Sequence, residues 1–472
     1  MAYENTWKPM GIAPAALGKR DPIIIDEFPR EWRDMLADLH ALWESKLMRN
    51  RLRKRYYYGH NALKDLGIAI PPQLRNLEAV VCWPQKAVDS LAVRSQFDGF
   101  FANSPETQTM LDSIVRRSRL DTKYRQARHS TLIHSCSFVT VTTDERGQAR
   151  IDIYSAEDAA ARWDKRRGCI AYGMTIEEYR EGKPSRVTLY TDDARVELWA
   201  DELDLWHWEA QHYTMGRPTM EAIVYRRTDD RPFGQSRVSR AVMSTTDSAV
   251  RECVRGEISA EFATSPQKYL LGVDDGAFAN KTMWEAYIGN IMAIGRDENG
   301  EMPQFGQLSQ GSMEQHASYM RQLAAKFSGE TNVPVSQLGV IHDNPSSAEA
   351  MQMACEPLVI EAEDFNAGAR DALNTVALMA IAAELDVPMD ELPSEYTDFT
   401  ANFKSAALPS IVSQSDAMVK LASVVPGFAG TSVFYEQVGF GEDTRRRVMA
   451  EVARANAVDA IQALEAATVE AV

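Results

Sequence analysis

The stretch that decides the fold starts Pro232-Phe233-Gly234-Gln235-Ser236-Arg237-Val238-Ser239 and runs into a long helical pattern. Proline and glycine close together indicate a turn, and apolar residues then recur near one face of a helix over 237–262. A second such pattern covers 312–329, where Ser312-x-x-Gln315 is a capping box and Gly329 is expected to end the helix. Residues 264–311 between them contain glycines, prolines and short apolar runs. Two long helices that flank a small insertion predict a stalk that carries a head.

Downstream of the second helix, the pattern predicts a loop and then a much longer helix. The loop covers 330–346, and Asn344-Pro345-Ser346-Ser347-Ala348-Glu349-Ala350 leads into a helix that extends to about residue 385. Ser346-x-x-Glu349 is a second capping box, and Pro357 within the helix predicts a kink. The remainder, 386–472, begins with a proline-containing linker and continues as helices around 410–425, 431–438 and 442–467.

Upstream of Pro232, the periodicity changes from helical to strand-like. Residues 1–27 are interpreted as an arm, and a helix with a one-face apolar stripe is predicted over 30–55. The six cations between 46 and 55 are interpreted as a solvated helix end, because helical geometry spreads them around the axis. Residues 73–94 are predicted to be helical with a break or kink at Trp83-Pro84, and 105–135 to form two helices, the first capped by Ser104. Strands are predicted at 138–143, 149–154, 169–175, 186–191, 195–199, 205–209 and 221–226. The expected fold class is mixed α+β, mainly helical.

Length, charge and cysteine usage exclude several classes of protein. A chain of 472 residues is expected to form about two to four structural units. It has no run of 18 apolar residues, so no membrane span is expected, and Met1 to Arg20 lack a secretory signal. The five cysteines are odd in number and form no CxxC, which predicts buried, reduced thiols in a cytosolic protein. A net charge of −16 argues against tight generic binding to phosphate.

A search for catalytic motifs indicates no enzyme class. The chain contains neither GxxxxGK[ST], HExxH nor GxSxG. His129 and His134, with Cys136 nearby, come closest to a metal-ligand set, but the spacing of the two histidines separates them around a helix. The acids between Glu361 and Asp364 are candidates for a Mg²⁺ site, yet their position within a helix favours a solvated face. We therefore predict no catalytic residue, no metal site and no cofactor.

Four pieces of the sequence, in this order, resemble signature segments of tailed-bacteriophage portal proteins of the gp6-like family. The first is a Tyr-Tyr-x-Gly pattern that ends at Gly59, and the second is the Pro232 to Ser239 stretch. The third is Pro266-Gln267 with Leu271-Gly272. The fourth and most specific is Pro334-x-x-x-Leu338-Gly339 followed by Asn344 to Ala350. A C-terminal pattern, Asp416-Ala417-x-x-Lys420-Leu421 and later Gly439, looks similar as well, and together these segments cover most of residues 56–465.

The resemblance implies a portal fold and a role for each segment. Residues 1–27 form an N-terminal arm, and 28–235 form a wing that is helical and then β-rich. Residues 236–263 and 312–329 are stem helices, 264–311 are the clip, and 330–347 are the tunnel-loop region. A long kinked helix of the wing and tunnel covers 348–385, and 386–472 form the crown. The expected DNA-channel residues are His342, Asp343, Asn344, Pro345, Ser346 and Ser347. The expected stem residues are Arg237, Arg240, Arg251, Arg255, Met313, Met320, Arg321 and Phe327, and the clip docking surface is expected within Pro266 to Gly311.

The implied function is a conduit. About twelve copies form a closed ring at one capsid vertex, and double-stranded DNA, bound weakly and without sequence preference, passes through it during packaging and ejection. The implied partners are the terminase large subunit, the head-tail adaptor and the major capsid protein, with no membrane. The protein would be made in the bacterial host cytoplasm and reside in the virion. Two other interpretations remain open: a phage head-associated metal-dependent nuclease, and a head-tail adaptor or minor capsid protein.

Overall fold

The structure is a computed structural model that describes residues 28–60, 79–264, 268–271, 304–307, 312–339, 347–407, 411–441, 444–455 and 457–458. The chain divides into two compact units. The first unit comprises Met1–Lys54, Ala87–Val238 and Ala348–Val472, and the second comprises Arg55–Lys86 and Ser239–Ser347. The expectations for the N-terminal arm, for most of the 264–311 insertion and for the 340–346 loop lie outside the described residues.

The first unit is organised around a five-stranded antiparallel sheet. Its strands β4 to β8 follow one another along the chain and pair in that order; they are Ala159–Asp164, Cys169–Arg180, Lys183–Tyr190, Ala194–Ala200 and Trp206–His212. Helix α1 (Arg30–Tyr57) packs its predicted stripe, which includes Leu39 and Trp43, on this sheet. Asn50 and Trp43 donate side-chain hydrogen bonds to the backbone carbonyls of Ala156 (2.9 Å) and Glu157 (2.6 Å), so the helix is also held at the edge of the sheet.

A second, three-stranded antiparallel sheet has the order β3-β2-β9. These strands are β2 (Cys136–Thr143), β3 (Ala149–Ser155) and β9 (Met220–Val224). Apolar side chains of this sheet share one core with side chains of β4, β5 and β6 from the larger sheet. Strand β2 is buried along most of its length, which explains why its sequence, Cys136 to Val141, is nearly continuous in apolar and small residues.

Helices and a short strand pair complete the first unit. Helices α3 (Pro105–Ser118) and α4 (Leu120–His134) are separate because Arg119 adopts a left-handed conformation between them. Strand β1 (Phe97–Ala102) pairs antiparallel with β12 (Phe399–Phe403). The long helix α7 (Ala348–Leu385) is followed by α8 (Ile411–Val424), α9 (Ser432–Gln437) and a helical segment at 444–455.

The second unit contains the two helices that flank the insertion. They are α5 (Arg240–Thr264) and α6 (Glu314–Thr331). Between them in the chain, β10 (Lys268–Leu271) pairs antiparallel with β11 (Gln304–Gln307). The chain therefore runs out along α5 and returns along α6, and the interpretation of this pair as a stalk stays a prediction. Helix α2 (Trp83–Ala92) begins in this unit and ends in the first.

Several local expectations were wrong, and each has a physical reason. Trp83-Pro84 does not break a helix but starts one, because a first-turn proline removes no intrahelical hydrogen bond. Gly329 does not end α6; the helix continues to Thr331, and Asn332 in the left-handed conformation ends it. Helix α5 starts at Arg240 rather than 237, so Arg237 lies outside it. Cys82 is exposed, unlike the buried thiols expected, and strands β1, β4 and β12 were not predicted.

Candidate functional site

The candidate functional site is the helix pair α5–α6, which is joined by a polar contact at the start of α6. The imidazole of His316 lies with Nδ1 2.6 Å from Glu252 Oε1 and Nε2 2.9 Å from Ser259 Oγ. The Glu252 side chain is 7% exposed, and its second oxygen lies 3.7 Å from Arg255 NH1. A buried carboxylate needs such partners, so these contacts tie the first turn of α6 to the C-terminal half of α5.

The other end of the pair is held by aromatic residues. Trp83 and Phe327 pack with ring centroids 5.3 Å apart, and Trp83 Nε1 donates to the carbonyl of Leu338 at 3.3 Å. On α5, Asp247 accepts a hydrogen bond of 2.9 Å from the hydroxyl of Tyr56. Burial and the carboxylate of Asp247 raise the pKa of Tyr56, so this hydroxyl stays a donor at neutral pH. This end of the second unit is therefore anchored by contacts within one chain.

The predicted apolar stripe of α6 is buried over only half of its length. Its buried residues are Leu323, Ala324, Phe327 and Thr331, all in the C-terminal half. At the N-terminal end, Met313 is 39% exposed, Ala317 is exposed and Met320 is half-buried. An apolar helix face that a chain leaves open in this way is typical of a protein–protein contact.

The stem residues named from the sequence are spread over both units. Arg240 is exposed at the start of α5, whereas Arg251 and Arg255 are half-buried on the same helix. Arg321 is exposed and lies 3.1 Å from Glu314. Arg237 differs from these, because it is buried in the first unit. Of the expected channel residues, His342 to Ser346 lie outside the described residues, and Ser347 is exposed immediately before α7. In the expected docking surface the structure describes only β10 and β11.

The interpretation of Glu361 as part of a solvated helix face was wrong. Its side chain is 8% exposed, and its Oε1 lies 2.6 Å from Arg237 NH1 and 2.7 Å from Arg226 NH2. Burial acts to raise the pKa of this carboxyl, but the charge and hydrogen bond of Arg237, the hydrogen bond of Tyr225 and the charge of Arg226 together outweigh it, so the pKa is lowered. Sequence reasoning named Arg237 and Glu361 separately and missed that they are partners. The sequence feature that could have indicated a buried ion pair was the presence of an arginine, Arg237, within the signature turn.

The two histidines considered as ligands, His129 and His134, lie in different surroundings. His134 is buried, and burial together with nearby Lys54 and Arg53 lowers its pKa to about 3. His129 Nδ1 lies 2.8 Å from the carbonyl oxygen of Arg125. Within the described ranges, no three His, Cys, Asp or Glu side chains are placed to hold a metal ion. No helix in that part of the chain is long and apolar enough to cross a membrane.

Comparison with known proteins confirms the class that the sequence motifs predicted: the chain is related to the portal proteins of bacteriophages. The particular relatives are the portal protein of Mycobacterium phage D29, 24% identical over 402 residues and 81% of each chain, and that of Mycobacterium phage L5. The L5 protein is 23% identical over 384 residues, which are 78% of this chain and 77% of that one. No family model matches the chain, so the narrower gp6-like assignment stays a prediction.

Solved structures with some similarity to this chain come from a gene transfer agent particle. The virion of a native gene transfer agent particle contains a chain with a TM-score of 0.45 and 12% identity, which covers 83% of this chain and 93% of that one. The neck of the native particle, with C12 symmetry, gives a TM-score of 0.42 and 11% identity over 76% of this chain and 89% of that one.

Proposed function

We propose that this protein is a phage portal: a closed ring of about twelve identical subunits at one capsid vertex. Its channel would carry double-stranded DNA during packaging and ejection. The ring would dock the terminase large subunit and later the head-tail adaptor, and it would contact the major capsid protein. The subunit would carry out no bond chemistry of its own.

The observation that carries this proposal is the half-buried helix pair in a chain whose curated relatives are named portal proteins. Helix α6 anchors its C-terminal half with Leu323 and Phe327 but leaves Met313 and Ala317 open. Cyclic symmetry supplies every copy with the same neighbouring surface, so all subunits bury such a face together. A ring explains why one chain forms a stalk whose apolar stripe it does not cover itself.

The segments take the roles that the resemblance implies. In this proposal, α5 and α6 are the stem, 264–311 are the clip with the β10–β11 pair at its base, and 330–347 form the tunnel-loop region. The β-rich 28–235 segment is the wing, α7 joins wing and tunnel, and 386–472 form the crown. The contact of His316 with Glu252 and Ser259 would keep the two stem helices in register near the clip.

Weak contact with DNA is consistent with the charge of the chain. A net charge of −16 disfavours a tight grip on phosphates, and each ionic contact would have to break as DNA slides. The proposed tunnel residues Asn344, Ser346 and Ser347 are polar and uncharged, so they meet DNA without trapping it. Glu361, one of the acids considered for a Mg²⁺ site in the nuclease alternative, is instead paired with Arg237 and Arg226.

The test is the native mass of the purified full-length protein, together with negative-stain images. Twelve copies of a 52.8 kDa chain give about 630 kDa and a ring with a central channel. Such a result supports the proposal. A stable monomer or dimer at every concentration and salt condition tried, accompanied by metal-dependent cleavage of DNA, would contradict it and favour the nuclease alternative.

A further inference from the structure

The signature turn and the long helix α7 meet in one buried ionic cluster of the first unit. Arg237, whose side chain is 2% exposed, donates from NH1 to Glu361 Oε1 at 2.6 Å and to the hydroxyl of Tyr225 at 2.9 Å. Its Nε donates to the carbonyl of Ala87 at 2.6 Å. Tyr225 also donates its hydroxyl to Glu361. One arginine thus links the turn, the end of β9, the helix α2 and the helix α7.

The backbone on both sides of Arg237 is also held by hydrogen bonds to other parts of the first unit. The Gln235 amide donates to the carbonyl of Tyr225, and the Arg237 amide donates to the carbonyl of Leu132, both at 2.9 Å. Ser236 Oγ donates to the carbonyl of Ile133 at 2.5 Å and accepts from the Val238 amide at 3.0 Å. Residues 235–238 are therefore hydrogen-bonded to α4 and to the end of β9, immediately before the chain leaves the first unit.

A buried ion pair adds little to the free energy of unfolding, but it restricts the relative positions of the groups that form it. Removing water from both charges costs about as much as their attraction returns, so an apolar pair of similar volume is often equally stable. Leaving one charge without its partner is strongly unfavourable. The guanidinium of Arg237 is planar and donates hydrogen bonds in fixed directions. Because it donates to three acceptors, only a few arrangements of the surrounding groups satisfy it. The cluster is thus better suited to select one position for the turn than to add stability.

We propose that Arg237, Glu361 and Tyr225 form a positioning clamp that fixes the backbone of residues 234–238 where the chain leaves the first unit for helix α5. Arg237 is thus a positioning residue of the first unit, and not a residue that lines a channel. Arg226, whose side chain is 49% exposed, contributes a second, solvent-facing contact to Glu361. The inference concerns the subunit itself and holds whatever oligomer the protein forms.

The test is backbone hydrogen exchange of residues 234–238 in the full chain, with melting temperature measured in parallel. Glu361→Gln keeps the size of the side chain and removes its charge. We expect exchange in this segment to rise at least tenfold, an opening equilibrium shifted by about 1.4 kcal/mol, and the melting temperature to fall by several degrees. The matched control is Glu363→Gln, two residues along α7 on its exposed face, which should change neither quantity.

A double variant separates positioning from stability. Arg237→Met with Glu361→Leu replaces the ion pair by apolar groups of similar volume, so the melting temperature should return to near that of the wild type. Exchange at 234–238 should nevertheless stay raised. If the double variant shows wild-type exchange, packing alone positions the turn and the proposal is overturned. It is equally overturned if Glu361→Gln leaves the exchange unchanged.

Discussion

At the scale of single residues, the signature turn depends on a glycine that has no room for a side chain. Gly234 has a φ of +65°, and a Cβ there would overlap the carbonyl oxygen of Tyr225 and lie 2.6 Å from Val224 Cγ1. The positive φ favours glycine, and the close approach requires it. The physical role of the turn is thus close contact between two backbone segments.

We expect Gly234→Ala to destabilise the first unit by roughly 2–4 kcal/mol, because strain and steric overlap add. Gly147→Ala is the matched control, since Gly147 has a similar φ of +72° in a turn but no atom within 4 Å of its Cβ position. That control should cost only the conformational term, about 1–2 kcal/mol. Urea denaturation of both variants measures the difference. Equal losses would contradict the close-approach explanation.

A second single-residue effect is the loss of stability at acid pH that buried His134 causes. His134 is buried with a pKa of about 3, whereas an unfolded histidine titrates near about 6.5. Between these values the unfolded state binds one more proton, so stability falls as the pH falls, by about 1.4 kcal/mol per unit. Between pH 6.5 and pH 5, we expect the His134→Gln variant to lose roughly 2 kcal/mol less stability than the wild type loses. Urea denaturation at several pH values measures this, with exposed His212→Gln as the control. Identical pH profiles for wild type and His134→Gln would contradict it.

At the scale of secondary-structure elements, α6 shows how one helix can serve two purposes. Its C-terminal half is anchored within the chain by Leu323 and Phe327, while its N-terminal end presents Met313 and Ala317 to solvent. Under the proposed function, this open half is covered by the neighbouring subunit of the ring. We therefore expect substitutions in the N-terminal half to affect assembly and substitutions in the C-terminal half to affect folding of the subunit.

We expect Ala317→Asp to prevent ring formation, because it places an unpaired charge in a buried contact. The subunit itself should stay folded, since exposed substitutions usually change stability by less than about 0.5 kcal/mol. Gln322→Asp adds the same charge at an exposed site on the opposite side of the helix and serves as the control. Native mass and circular dichroism measure assembly and folding. A full-size ring with Ala317→Asp would show that this face is not a subunit contact.

At the scale of the whole molecule, the described residues of the two units form apolar clusters of different kinds. In the described residues, the first unit has extensive apolar cores on and between its two larger sheets. The second unit has a small cluster around Val254 and Ile258 besides its aromatic anchor. Under the proposed function, the open part of α6 is buried against neighbouring subunits of the ring.

The amino-acid sequence by itself determined the features that depend on local periodicity. The stripe of α1, the helices α5, α6 and α7, the Ser104 cap of α3 and the β2–β3 hairpin were all predictable, because hydrophobic spacing and capping residues act within a few positions. The order of the motifs also identified the relationship to portal proteins, which the comparisons confirm.

Only the tertiary structure decided what depends on partners far away in the chain. Strand β1 has its partner in β12, about three hundred residues later, and such pairing leaves no signal in a local window. From the sequence, Arg237 was interpreted as a residue of a stem helix and Glu361 as part of a solvated helix face, although the two are paired in the structure. The sequence does not show which residues a buried charge will contact. Burial of a charged group requires a specific partner, and that partner is supplied by the fold.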